Sequence, residues 1–492
     1  GFKAKVESQL LSKENDQNHD LRKKLYRNLI SRTINVSHDE SQVYDALHIL
    51  RSSIPEASEQ QDNIFLEDSR TEIERRDIQN LLATEGALQL IAICLCSSQN
   101  GIVKEALKLG VEILAGGNQF VQAQFLDYFM TSGNDQVFVH LRERIRRGEQ
   151  EIQTRYHYVK GQEKVMENLA ESATSIVSSA RRSSRARRKK KSKNRMLAES
   201  LKIDDTKVDT SHVCDVMLFL QALCEGHFSG MQDFLREQRG NKRSCDLVTE
   251  TVSFLSSLCG AANNFSQHLV NSETNAKFVL QAFDTVIEYC QGPCLGNQEA
   301  ILNGKIMETV GRFMWSDLSF LQDNQLAISL KGKSVELLLA LLEGRSSAEK
   351  VNQVVHGLSF RDLNKTLNNM LDIADAVRKK DPELSRSFLE TGHQIFILAS
   401  SLAIYDPKLQ SMVKNGEKRE ELLTLGGLKV GKFFKAVHEK AQLVFEASGV
   451  STNSKDDYRA MKYFFSQTGH VEVLRDKIET VFFPLLPECT YL

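Results

Sequence analysis

Proline is scarce in this chain of 492 residues, and its scarcity favours helices. There are six prolines, about 1% of the residues, and none lies between Pro55 and Pro293. Because proline ends or kinks a helix, long stretches contain nothing that must interrupt one. Hydrophobic residues make up 41% of the chain, which over this length is enough to bury a core. The composition predicts an all-α protein.

Three other features are missing from the sequence. The nine cysteines lack the close, paired spacing of a disulfide scaffold, and no apolar signal segment opens the chain. The longest apolar runs, such as Leu88–Cys96, fall far short of the ~20 residues that cross a bilayer. We therefore expect a reducing, cytosolic setting and no membrane crossing by this chain. Because the sequence begins at Gly1 without methionine, we expect a segment of a longer protein.

A net charge of −1 hides an uneven distribution. Residues 181–195 contain ten Lys or Arg and no acidic residue, which leaves −11 for the rest of the chain. Such a block attracts nucleic acid or serves as an import signal, but no aromatic residue interleaves it, so a solvated, mobile linker is the preferred interpretation. Arg181 and Arg182 precede Ser184 at the spacing that basophilic kinases favour, which makes Ser184 a predicted phosphorylation site.

Apolar residues recur at helical spacing in three separated segments, 103–114, 213–224 and 279–290. Short polar or glycine-containing connections follow each of them, as in Gly116-Gly117-Asn118. Repeated amphipathic helices of this kind are typical of stacked armadillo or HEAT repeats, although no strict sequence period is present. The sequence therefore predicts an α-solenoid.

Composition suggests five regions along the chain. Residues 1–155 and 211–413 are predicted solenoid segments, and 156–210 is predicted to be a charged helix followed by the basic linker. Residues 414–460 form a second polar linker. Residues 461–492, with β-branched and aromatic residues around Ile478–Phe483, are expected to begin a small β-containing domain.

Catalytic motifs are missing. Gly332-Lys333-Ser334 resembles the end of a phosphate loop, but the motif requires glycine where Ala327 stands. No nucleophile elbow, zinc-protease helix or dinucleotide fingerprint occurs. We therefore expect that the chain is not an enzyme.

Two acidic residues stand at predicted helix ends. Glu225 closes the helix 213–224, and Glu288 lies near the end of the helix 279–290. Helix C-termini are negative and carry unpaired carbonyls, so a carboxylate there is unfavourable unless a cation is present. Carboxylate and carbonyl oxygens are the ligands that Ca²⁺ prefers. On spacing alone, two exposed glutamates paired with lysines are the preferred interpretation.

Nearby thiols offer a competing metal set. Cys224, His227, Cys290 and Cys294 are of the types that bind zinc, but Cys224 and Cys290 also occupy core-facing helix positions. Buried, unreactive thiols are the preferred interpretation.

These same residues lie in stretches that resemble the cytosolic region of inositol trisphosphate receptors, the tetrameric calcium-release channels, with ryanodine receptors as the second match. The most specific stretches are CDVMLFLQALCEGHFSGMQDFLREQR at 214–239, FDTVIEYCQGPCLGNQEAIL at 283–302 and SVELLLALLEGRSSAE at 334–349. Further similar stretches occur at 106–125, 392–413 and 471–492, so the similarity runs in order over most of Thr84–Leu492.

The resemblance implies a solenoid in the third armadillo-like region of the channel, on the cytosolic face of the endoplasmic reticulum, leading into an intervening lateral domain. It implies a homotetramer and an activating Ca²⁺ site with two glutamates from this solenoid, which map onto Glu225 and, with Ile287 in place of threonine, onto Glu288. It places a third ligand on a pore-proximal linker domain beyond Leu492, and the inositol phosphate pocket and the pore in other segments.

Two alternatives stay open at this point. Ryanodine receptors carry a long insertion with EF-hand-like loops at a place where only 47 residues separate Gly344 from Gly392 in this chain. The short connection favours the inositol trisphosphate receptor. The sequence Glu-Gly-His at 225–227 is instead more similar to ryanodine receptors. From a different class, a stand-alone solenoid adaptor would bind protein partners on its concave face.

Overall fold

The computed structural model describes most of the helical part of the chain. It covers residues 17–35, 39–55, 67–131, 135–154, 157, 211–259, 273–304, 306–315, 321, 323–344, 351, 354, 360–403, 463, 468–474 and 478–484. The predicted phosphorylation site Ser184, the basic block and the predicted linker 414–460 lie outside the described residues.

The described chain is almost entirely helical. The helices are α1 (Gln17–Asn35), α2 (Glu40–Ser52), α3 (Glu67–Thr84), α4 (Ala87–Leu95), α5 (Asn100–Leu114), α6 (Gln119–Thr131), α7 (135–154), α8 (Val213–Cys224), α9 (Ser229–Arg236), α10 (Leu247–Cys259), α11 (Glu273–Cys290), α12 (Leu295–Asn303), α13 (Ile306–Trp315), α14 (Asn324–Leu342), α15 (Phe360–Val377) and α16 (Pro382–Ala403). This confirms the predicted all-α solenoid.

The helices repeat in units of three. A first helix is followed across a glycine-containing turn by a short second helix and then by a third, as in α5–α6–α7, α8–α9–α10 and α11–α12–α13. The first helices pack side by side in the order α2, α5, α8, α11, α14, and α16 packs against α14. The second helices α6, α9 and α12 contact one another in the same order. Each unit therefore contacts its neighbours, as in an armadillo-type stack.

One continuous core runs through these units. The helical stripes predicted from sequence are buried, with Val103, Ala106 and Leu107 of α5 fully shielded from water. Phe129 and Phe234 each stack edge-on against Phe138, with ring centroids 5.0 and 5.5 Å apart. These contacts join the units before and after the predicted linker 156–210.

Glycine sets the closest approach between two first helices. An alanine methyl at Gly110 of α5 would lie 2.6 Å from the ring of Phe219 in α8, whereas one at Gly101 in the same helix would meet nothing within 4 Å. Gly110 therefore makes room for the aromatic ring that fills the α5–α8 interface.

The C-terminal part of the described chain contains two antiparallel strands, β1 (Thr468–Leu474) and β2 (Ile478–Pro484). They pair in a register that sets Thr468 opposite Pro484 and Leu474 opposite Ile478. The strand expected around Ile478–Phe483 lies within β2. Strand β1 was not predicted, because its polar and glycine residues give a weak local strand signal.

Within the described residues, no single helix has both the length and the apolar character to cross a membrane. The consecutive helical segments Thr71–Thr84 and Ala87–Leu95 reach that threshold only when taken together, and they meet at a bend of 69°.

Candidate metal centre

The turns between first and second helices share one feature. Each contains a glycine with positive φ: Gly116 (79°), Gly226 (74°), Gly292 (96°) and Gly344 (65°). A residue with a side chain adopts this region at a cost, so glycine is the natural choice. These turns lie at corresponding places in successive units.

The turns also touch one another. An alanine methyl at Gly292 would lie 2.5 Å from Cβ of His227, and one at Gly344 would lie 2.4 Å from Cγ of Pro293. His227 itself has φ of 63°, which is unusual for a residue other than glycine. The turn that follows Glu225 is thus held against the turn that follows α11.

A buried glutamine from each unit binds the end of the next first helix. The side-chain amide of Gln232 in α9 donates to the carbonyls of Glu288 (2.7 Å) and Gln291 (2.9 Å). Gln122 in α6 donates in the same way to Ala222 (3.1 Å) and Glu225 (2.8 Å). We call these contacts glutamine clamps.

The same contact occurs at two further helix ends. Gln298 of α12 binds the carbonyls of Ala340 and Glu343, and Gln79 of α3 binds those of Glu112 and Ala115. All four glutamines are at most 1% exposed. In each case the two carbonyls belong to residues three apart, because adjacent turns of a helix present them on the same side.

The glutamine clamps show which helix positions correspond between units. Glu225 occupies the second clamped position of α8, and Glu288 the first clamped position of α11. Across the α5–α8 interface the corresponding pair is Ala115 and Ala222. The α8–α11 interface therefore has an acidic residue at both positions, whereas the α5–α8 interface has alanine at both.

The prediction that Glu225 and Glu288 come together has electrostatic support. Burial raises the pKa of Glu288 to about 7, and the negative charge of Glu225 adds to the rise. The oxygen Oε2 of Glu288 is buried and has no hydrogen-bond partner among the described residues. Neither glutamate forms an ion pair with a described lysine or arginine, which disfavours the alternative of exposed, lysine-paired carboxylates.

The next interface contains a cation. Lys333 of α14 lies 2.9 Å from both Asp284 of α11 and Glu336 of its own helix. Burial acts to lower the pKa of Lys333, but its contacts with Glu336 and Asp284 outweigh burial and raise it. We call the α8–α11 contact around Glu225 and Glu288 the carboxylate junction, and the α11–α14 contact around Lys333 the lysine junction.

One expectation about the ligand set is wrong. The carbonyls near these carboxylates are not unpaired, because the clamps and other donors already bind them. At the end of α11, Asn297 donates to Tyr289 and the backbone N–H of Cys294 donates to Cys290, both at about the usual distance. Tertiary contacts thus satisfy the helix end, and the carboxylates remain as the oxygen donors of the candidate site.

Other candidate metal sets are not assembled in the described part of the chain. There, no group of three or more His, Cys, Asp and Glu side chains is arranged to hold a metal ion. Cys224, Cys290 and Cys294 are buried, and burial raises the pKa of Cys224 well above its usual value. The predicted buried thiols are confirmed, and the zinc alternative is not supported.

The residues that surround the glutamates were not predicted from the sequence. Gln122, Gln232 and Lys333 were given no role at this site, yet a signal for the first two was present. A glycine followed six positions later by glutamine occurs at 116 and 122, at 226 and 232, and at 292 and 298. This recurring spacing marks the repeat that no sequence period revealed.

Two comparisons with known proteins show which family this chain resembles. Residues 207–314 match the family model described as RyR and IP3R Homology associated. The chain is also 27% identical over 321 residues to the inositol 1,4,5-trisphosphate receptor itr-1 of Caenorhabditis elegans, a match that covers 56% of this chain and 11% of that protein. These matches support the inositol trisphosphate receptor and ryanodine receptor family for this chain.

The region matched by the family model includes the carboxylate junction, but only the α11 side of the lysine junction. Residues 207–314 contain Glu225, Glu288 and Gln232, while Lys333 follows the matched region. The chain spans about a ninth of the length of the curated relative.

Proposed function

We propose that this chain is a cytosolic regulatory segment of an intracellular calcium-release channel, and that Glu225 and Glu288 contribute to an activating Ca²⁺ site. The observation that carries the proposal is the carboxylate junction: the charge of Glu225 adds to the raised pKa of Glu288, and among the described residues the buried Oε2 of Glu288 has no hydrogen-bond partner. A divalent cation would remove this repulsion by binding both carboxylates.

The ligand set is incomplete by itself. Ca²⁺ takes six to eight oxygens, and two carboxylates supply four at most. We propose that the remaining ligands come from water and from a pore-proximal domain of the same assembly, as the family resemblance implies. Binding would then favour the arrangement in which the two domains meet, and would shift gating by the difference in affinity between that arrangement and the closed one.

The rest of the proposal follows the family. The assembly would be a homotetramer at the endoplasmic reticulum membrane, with this solenoid on the cytosolic side and without enzymatic activity of its own. The similarity to a named receptor and the family match at residues 207–314 support this assignment.

The test is a titration of this chain with Ca²⁺ or Tb³⁺ by calorimetry and lanthanide luminescence. Glu288→Gln and Glu225→Gln should each weaken binding on the order of tenfold or more, since affinity at such sites depends on the number of charged ligands. Glu336→Gln is the matched control, because it removes the same charge from a residue that pairs with Lys333 and acts on Glu288 only through its charge. We expect a clearly smaller weakening from it.

In the intact channel, Glu288→Gln should shift Ca²⁺ activation to higher concentration. An unchanged activation curve, or equal effects of Glu288→Gln and Glu336→Gln on metal affinity, would contradict the assignment. A solenoid adaptor would give no Ca²⁺ dependence through these two residues.

A further inference from the structure

The short helix α9 follows Glu225 in the chain and contacts the backbone of Glu288. A turn at Gly226–Phe228 leads from Glu225 into α9. Gln232, seven residues after Glu225, donates a hydrogen bond from this helix to the carbonyl of Glu288. We infer that Gln232 is a positioning residue that fixes the spacing of the carboxylate pair. The inference rests on the proposed Ca²⁺ site for its functional meaning, and on contacts within the chain for its geometry.

Gln232 closes a loop of contacts. Covalent connection joins Glu225 to Gln232 through the turn, and two hydrogen bonds join Gln232 to the last turn of α11. His227, within that turn, packs directly on Gly292, which follows the end of α11. The backbone of Glu288 is thus tied to the segment that carries Glu225 at two points, so a change at one of these points should alter how the two carboxylates face each other.

The clamp residue is itself held in place. The side-chain amide of Asn297, at the start of α12, donates to the backbone carbonyl of Gln232 and to that of Tyr289, each at 2.8 Å. Gln232 and Asn297 are buried, at 1% and 0% exposure, so water does not compete for these bonds. A buried, doubly bonded amide fixes geometry more strongly than an exposed one.

Gln122 plays the corresponding part for Glu225 from the preceding unit, by binding its carbonyl at 2.8 Å. The two glutamates are therefore held by successive clamps. Outer residues that orient metal ligands commonly change metal affinity by about 10- to 100-fold when replaced.

The experiment compares Gln232→Met with Gln79→Met in this chain. Methionine is close in size to glutamine but cannot donate hydrogen bonds. Gln79 makes the same two bonds at the end of α5 (2.9 and 3.1 Å) and additionally accepts one from Asn118. The control variant should therefore lose at least as much stability, and Gln79 bonds to neither Glu225 nor Glu288.

We expect Gln232→Met to weaken Ca²⁺ or Tb³⁺ binding on the order of tenfold and Gln79→Met to leave it unchanged. Hydrogen exchange without metal is the second readout. Exchange should accelerate at residues 286–294 in Gln232→Met, and at residues 110–118 in Gln79→Met, because each amide holds that helix end.

The outcomes separate this inference from the proposed function. Wild-type affinity in Gln232→Met, or equal weakening in both variants, would overturn the positioning role while the Ca²⁺ site stands. If the wild-type chain binds no metal through Glu225 and Glu288, the proposed function fails. Hydrogen exchange then decides the inference alone: acceleration confined to 286–294 supports it, and unchanged exchange there overturns it.

Discussion

The carboxylate junction and the lysine junction share the same kinds of backbone contact and differ in their charges. In both, a glutamine clamp binds the end of a first helix and a positive-φ glycine packs against the preceding turn. In the lysine junction, Lys333 neutralises Asp284 and Glu336. In the carboxylate junction, burial raises the pKa of Glu288 to about 7 and the charge of Glu225 adds to the rise. A repeated scaffold thus carries one junction that is complete and one that a cation would complete.

The largest effect is expected from replacing the glycines whose turns pack together in both junctions. These replacements test how much the turn contacts contribute to stability. Gly292→Ala and Gly344→Ala should each reduce the free energy of unfolding by about 2–4 kcal/mol, from a strained φ and a collision with the preceding turn. Gly226 has positive φ, but a methyl there meets nothing within 4 Å, so Gly226→Ala should cost only about 1 kcal/mol. Guanidinium unfolding measures all three; equal losses would show that the turn contacts contribute nothing.

Removing the charge of Lys333 should leave the lysine junction, like the carboxylate junction, with two acidic residues and, among the described residues, no ion pair between α11 and α14. Lys333→Met should reduce the free energy of unfolding by about 2 kcal/mol at low salt, because it breaks two partly buried charged hydrogen bonds. It should also raise the pKa of Glu288 above about 7, since Lys333 acts to lower it. Chemical unfolding at several salt concentrations tests the first effect, and Lys277→Met, at an exposed lysine, is the control. If the loss in the free energy of unfolding did not change with salt concentration, its origin would not be electrostatic.

A pH series should distinguish the two junctions. The folded-state pKa of Glu288 is raised from 4.5 to about 7, so the folded state favours the protonated carboxyl. The associated stability is present below pH 4.5 and is lost as pH rises through about 7. Partial exposure reduces the size of the effect.

Glu288→Gln should therefore gain about 1–2 kcal/mol over wild type at pH 8 without metal, and the gain should vanish near pH 4.5. Glu336→Gln, which loses its contact with Lys333, should show no gain at pH 8. Chemical unfolding across this pH range measures both variants. A gain for Glu288→Gln that is independent of pH would contradict the raised pKa.

The smallest effect concerns a neutral contact across the carboxylate junction. The side-chain amide of Gln281 in α11 donates to Gln221 in α8 at 2.7 Å. Gln281→Met should cost about 0.5–1 kcal/mol and, unlike Lys333→Met, the loss should not vary with salt. A strong salt dependence would mean that the substitution disturbs the neighbouring charges. Thermal unfolding at two ionic strengths provides the comparison.

Local sequence predicted the helices well because their apolar stripes coincide with the buried faces, as at Val103 and Leu107. It also placed Glu225 and Glu288 at helix ends, because Gly226 and Gly292 follow them closely. It did not predict that the carbonyls at those ends are already hydrogen-bonded. Those donors come from Gln122 and Gln232, 103 and 56 residues away from the carbonyls of Glu225 and Glu288.

The sequence alone determined the helical class, the position where each first helix ends, and the acidic residues beside two of those ends. Each of these features depends on residues within a few positions of one another. Tertiary structure decided which helix ends meet, and hence that Glu225 adds to the charge around Glu288 while Lys333 balances Asp284. The physical reason is that burial and the field of a neighbouring charge depend on distance in space, which the stacking of successive units sets.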